Sequence, residues 1–178
     1  MNYFGRNSAC LLAFSLACSL FPCLSLNAYA EDSPQNIEII KSINSQIKQA
    51  KIKQNPNAQL LIAVQNGNLA EVRSLLSQAT DVNVRDEYGW TPILWAAMNG
   101  HTDVVRLLLA SGANPNTRNK YGWTPLMWAA GQGYSEIVRS LIASGARLNA
   151  QDGNGWTAIM WAWDGNHQEV VAILRGND

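Results

Sequence analysis

The chain has 178 residues, 13 Lys and Arg against 13 Asp and Glu, and seven tryptophans, all between residues 90 and 163. Balanced charge without a basic cluster argues against an electrostatic grip on nucleic acid or on an anionic membrane. The length suits an ordinary domain of modest size, with its unusual chemistry where the tryptophans lie.

Residues 1–30 read MNYFGRNSAC LLAFSLACSL FPCLSLNAYA: one basic residue, Arg6, an apolar run from Ala9 to Leu26, then Ala28-Tyr29-Ala30 ahead of Glu31-Asp32. A basic start, an apolar middle and a small-x-small ending predict a secretory signal peptide, cleaved after Ala30. The competing reading is an uncleaved anchor, because the run approaches the roughly 20 residues that span a bilayer. Pro22, the serines and the Ala-Tyr-Ala site favour cleavage. Cys10, Cys18 and Cys23 all fall within this segment, so the body of the protein has no thiol, no disulfide and no cysteine-based metal site. The expectation is a periplasmic or secreted protein without membrane attachment after cleavage.

Residues 31–56 predict one amphipathic helix. Ser33-Pro34 suits a cap and first helical position, and Ile37, Ile40, Ile43, Ile47 and Ala50 recur at three- and four-residue intervals. Asn55-Pro56 stops it, since the residue before proline is pushed out of helical geometry. Such a helix either covers the end of the next domain or binds a partner.

From residue 57 the chain repeats itself. Gly89, Gly122 and Gly155 are spaced by 33, as are Thr91, Thr124 and Thr157, Asn83, Asn116 and Asn149, and Gly67, Gly100 and Gly133. A fixed period of this size means stacked supersecondary units. Within DEYGWTPILWAAMNGHTDVVRLLLASGANPNTR, Thr91 and Pro92 open a short helix that packs through Ile93, Leu94, Ala96 and Ala97 and ends at Asn99-Gly100. A second helix follows from Thr102 to Ala110, with Asp103 near its positive end and Val104, Val105, Leu107, Leu108 and Leu109 in its core. The stretch from Ala113 to Tyr121, rich in Asn, Pro and Gly, predicts a long projecting turn.

These elements resemble the ankyrin repeat, whose G-x-T-P-L-H-x-A-A, G-H and L-L-L-x-x-G-A-x-x-N signatures match two copies almost throughout. The resemblance implies an all-α solenoid of helix-turn-helix units with projecting turns, in four units at 57–85, 86–118, 119–151 and 152–178. The family's histidine is replaced by Leu94, Met127 or Met160, and the first unit lacks a clear T-P-L-H element. In the last unit Arg175 replaces an apolar residue, which suits an outer face, and Trp163 replaces a small one, as if filling the space of a missing neighbour.

The threefold GWTP and GWTA words place two sets of tryptophans. Trp95, Trp128 and Trp161 stand beside the Ala-Ala pair and are expected to be structural. By resemblance, Trp90, Trp123 and Trp156 belong to the family's concave, partner-facing surface. So do Tyr88 and Tyr121, together with Arg85, Glu87, Met98, Asn99, Arg118, Lys120, Gln132 and Asn154. Five such aromatics, half exposed, would present on the order of 400–600 Å², the size of patch that is often functional. The bland alternative is that each aromatic stacks on the next unit and hides most of this area.

Catalysis is not expected. His101 and His167 sit at turn positions where the family often has histidine, and Asp103, Glu136 and Glu169 recur at helix starts as dipole partners. No Ser-His-Asp grouping, phosphate loop or metal-ligand spacing is visible. The expected function is a non-enzymatic scaffold for a protein partner, monomeric on its own and without a cofactor. The alternative is a small-ligand protein, its tryptophans stacking on a cell-wall sugar or a flat cofactor such as haem.

Overall fold

The computed structural model describes residues 34–53, 55–78 and 80–177. Residues 1–30, expected to be a signal peptide, and Ser33 lie outside the described residues. The chain divides into two units, residues 1–49 and 50–178.

Helix α1, Pro34–Lys53, is the amphipathic helix expected from the isoleucine spacing. Its Ile37, Ile39, Ile43 and Ile47 are exposed. The proline expected to stop it does more than that, because Pro56 is the first residue of α2, Pro56–Gln65. Asn55 caps that helix by accepting from the Asn57 and Ala58 amides at 3.0 and 3.3 Å, which satisfies donors that the first helical turn leaves free.

The remaining helices are α3 (Leu69–Leu76), α4 (Pro92–Met98), α5 (Thr102–Ala110), α6 (Pro125–Gly131), α7 (Ser135–Ala143), α8 (Ala158–Asp164) and α9 (Gln168–Arg175). They pair as α2/α3, α4/α5, α6/α7 and α8/α9, four units of the same design. In α4 and α6 a proline at the first position fits the helix without losing a hydrogen bond. The threonine before it was expected to cap with its side chain, and only Thr124 does so, accepting from the Met127 amide at 3.3 Å. The Thr91 hydroxyl is buried without a partner.

Close stacking of the first helices rests on small side chains. Ala96, Ala97, Ala129, Ala130 and Ala162 have no exposure, and the larger Leu60, Ile93 and Leu126 fill the space around them. Gly67 and Gly100 show what the turn between the helices requires. Both have positive φ, 67° and 74°, and a Cβ on either would lie 2.7 Å from the His101 ring or 2.8 Å from that of Tyr134 in the next unit. Only glycine meets both conditions. The histidines have the structural role expected of them: Nε2 of His101 donates to the Gln65 carbonyl at 3.1 Å, and Nε2 of His167 to that of Gly131 at 3.0 Å.

The units are also tied edge to edge. The Asn83 side chain donates to the Gly112 carbonyl at 3.3 Å and accepts from the Asn114 amide at 2.8 Å. Asn116 repeats this with Gly145 and Arg147 at 2.9 and 2.7 Å. Turn meets turn through Lys120 N–H to the Tyr88 carbonyl and Gly153 N–H to that of Tyr121, both 3.1 Å. On the second helices Arg106 bridges Asp103 at 3.6 Å and Glu136 at 2.9 Å, and Arg139 pairs with Glu169 at 3.5 Å. These acids therefore hold arginines as well as helix starts. Their exposure keeps each such pair to about 0–1 kcal/mol.

Trp163, expected to fill the space of a missing neighbour, is about half buried. It is 48% exposed, with the Arg175 guanidinium 5.1 Å from its ring centroid. Among the described residues no unit follows to close against it.

Candidate functional site: an aromatic ladder beneath the turns

Six of the seven tryptophans form one column. Trp95 stacks on Trp90 at 4.5 Å between centroids, and Trp90 meets Trp128 at 5.5 Å. Trp128 stacks on Trp123 at 4.4 Å, Trp123 meets Trp161 at 4.3 Å, and Trp161 meets Trp156 at 4.8 Å. Indole faces carry negative charge and edges positive, so offset and tilted contacts of this kind are favourable, by about 0.5–1.5 kcal/mol each beyond area burial. The column crosses from unit to unit at Trp90–Trp128 and at Trp123–Trp161.

One side chain in each of the last three units shapes its turn, two of the three also hold an indole of the column, and sequence reasoning missed them. Asp86 Oδ1 accepts from the Tyr88 and Trp90 amides, both at 2.9 Å, shaping the turn, while Oδ2 accepts from Trp95 Nε1 at 3.3 Å. Asp152 does the same for Asn154, Trp156 and Trp161 Nε1 at 2.8, 3.0 and 3.1 Å. Between them stands Asn119. Its Oδ1 takes the Tyr121 and Trp123 amides at 3.0 and 3.1 Å, but Nδ2 replaces the second acceptor. Asn119 Nδ2 and Trp128 Nε1 are both buried without partners. The 33-residue step from Asp86 to Asn119 to Asp152 is the sequence signal that could have revealed the series.

The expected division between structural and partner-facing tryptophans is not kept by the rings. Trp90 lies between Trp95 and Trp128, and Trp123 between Trp128 and Trp161. Indoles already occupy both neighbours' places at Trp90 and Trp123, so a flat ligand would meet the column at its ends, Trp95, which is half-buried, and Trp156, which is 37% exposed. What the turns present outward is Glu87, Tyr88, Lys120, Tyr121 and Asn154, all exposed. Tyr88 and Tyr121 are 53% and 61% exposed. The bonds from Lys120 to Tyr88 and from Gly153 to Tyr121 bring these turns side by side.

The other residues singled out from the sequence fall differently. Arg85 donates from Nη1 to the Gly89 and Arg118 carbonyls at 3.0 and 2.8 Å and from Nη2 to Thr117 Oγ1 at 2.9 Å, stapling its turn to the next. Arg118 repeats the staple on the Gly122 carbonyl, at 3.1 Å, and on that of Gln151. Asn99 donates to the Gln65 carbonyl at 3.1 Å. Met98 is half-buried and Gln132 exposed. Among the described residues, no group of three or more His, Cys, Asp or Glu is placed to hold a metal ion.

Helix pairs at a constant step, tied turn to turn and sharing one core, define a repeat protein built of stacked helical units. A family model described as ankyrin repeats (3 copies) matches residues 27–119, 60–152 and 112–178, and the chain belongs to the ankyrin-repeat family. No curated protein matches it. Proteins of this family are typically non-enzymatic scaffolds, and their repeats generally mediate protein–protein interaction.

Proposed function

We propose that this protein is an exported scaffold that holds a partner protein on its row of turns, with Tyr88 and Tyr121 as the principal contacts and Glu87, Lys120, Asn154 and Trp156 around them. The observation that carries this reading is the contrast between two kinds of aromatic. The inner tryptophans stack on one another, while the turn tyrosines stand more than half exposed above them. Exposed tyrosine on a rigid base is what interface hot spots use, because a large contact area is offered with little side-chain freedom to lose. The ladder then serves as the base: it fixes the spacing of the turns and leaves the tyrosines to make contact.

A photo-crosslinking residue at position 88 or 121, expressed in the native cells, tests this. The expected result is one discrete adduct from both positions and none from position 103 on the second helices. Adducts from position 103 alone would place the partner on the opposite set of helices and end this reading.

A further inference from the structure

The tryptophan column is a continuous chain of easily oxidised rings. From Trp156 through Trp161, Trp123, Trp128 and Trp90 to Trp95, each indole meets the next with centroids 4.3–5.5 Å apart. One end, at Trp95, is half-buried, and the other, at Trp156, is 37% exposed. Aliphatic side chains could fill such an interface, but indole gives up an electron far more readily than any of them. An electron passes between rings at a rate that falls exponentially with their separation, so rings in contact exchange one quickly and a single wider gap slows the traffic.

Carboxylates bias where a missing electron comes to rest. An oxidised indole is a cation whose N–H has become acidic, and a carboxylate at hydrogen-bond distance both stabilises the charge and can take the proton. Trp161 Nε1 donates to Asp152 at 3.1 Å and Trp95 Nε1 to Asp86 at 3.3 Å. In the middle of the column Trp128 Nε1 has no acceptor, and the side chain at the repeat position is the neutral Asn119. The column therefore has a neutral centre between two anionic resting places. Residues 31–178 hold no cysteine that would trap the hole first.

We propose that the column conducts oxidising equivalents from unit to unit, with Trp161 and Trp95 as its two resting places. A one-electron oxidant at the turns, such as an oxygen-centred radical or a high-valent metal complex, takes one electron from an indole and is itself reduced by one. The hole then moves by electron exchange from ring to ring. At Trp161 or Trp95 the Nε1 proton passes to Oδ2 of Asp152 or Asp86, leaving a neutral indolyl radical beside a neutral carboxylic acid. Return of that proton frees the hole to move on. This activity is independent of a partner on Tyr88 and Tyr121, and either can fail alone.

The test uses the full chain with a ruthenium polypyridyl photo-oxidant coupled to an alkyne-bearing residue at position 154, exposed in the turn beside Trp156. A light flash with a cobalt(III) ammine as electron acceptor leaves ruthenium(III), which oxidises the nearest indole. Peptide mapping of the indoles that have added dioxygen shows where the radical rested. Adducts are expected at Trp161 and at Trp95, and Trp128→Phe should abolish those at Trp95 while keeping those at Trp161. Asp152→Asn should shift adducts from Trp161 to Trp95, and Asp86→Asn the reverse, a redistribution that packing alone does not produce. If circular dichroism shows the Trp128→Phe chain unfolded, Trp90→Phe cuts the same path one contact further on. No adduct at Trp95 in the parent, or adducts there undiminished when the column is cut, would overturn the proposal. So would a distribution indifferent to both aspartate variants.

Discussion

Position 119 shows how much one atom decides. Asp86 and Asp152 each use one carboxylate oxygen for two turn amides and the other for an indole N–H. Asn119 has an NH₂ where that second oxygen would be, and two buried donors are left facing no acceptor. Turning the amide over would only move the conflict to the turn, so a carboxylate is the group that satisfies both sides. A buried unsatisfied donor costs about 1–3 kcal/mol. Asn119→Asp is therefore expected to raise stability by about 1 kcal/mol or more, and Asp152→Asn to lower it by a similar amount, in urea denaturation followed by circular dichroism. A lower midpoint for Asn119→Asp would show that the Trp128 N–H is not what the position lacks.

Between elements, the arginines before each turn act as staples. Each lies exposed by area, yet its guanidinium donates to main-chain carbonyls of its own turn and of the next. Arg85→Ala should lower stability by about 1 kcal/mol, since hydrogen bonds to a charged donor contribute about 1.5–3 kcal/mol before exposure is discounted. Hydrogen exchange gives the sharper reading: the Lys120 amide, bonded to the Tyr88 carbonyl, should exchange faster while the Val105 amide in α5 does not. Equal acceleration at both would mean general loosening instead of a severed turn. This role was not legible in the sequence, because the acceptors are carbonyls that every residue carries. The helices were legible, down to Thr102–Ala110, because Thr-Pro starts and glycine ends act locally. The tryptophan column was not, because Trp90 and Trp128 are separated along the chain and meet only once the units stack. The aspartates at 86 and 152 were in plain view at the repeat step, and their chemistry emerged only with the indole nitrogens beside them.

At the scale of the molecule, the proposal of export rests on residues 1–30, and residues 31–178 carry no cysteine. If residues 1–30 are a cleaved leader, the protein isolated from its native cells begins at Glu31, by N-terminal mass spectrometry; a chain that retains Met1 would contradict export by this route. The larger claim is a division of labour, in which the indoles hold the units together and the turn tyrosines stand ready for a partner. Replacing Trp128, which touches Trp90 and Trp123 in the middle of the column, removes two ring contacts and leaves a cavity. Replacing Tyr121 removes an exposed ring that holds nothing up. The most direct test is urea unfolding of these two variants side by side. Trp128→Ala should lose about 3–5 kcal/mol and Tyr121→Ala no more than about 0.5 kcal/mol; comparable losses, or a Trp128→Ala protein as stable as the parent, would contradict the account.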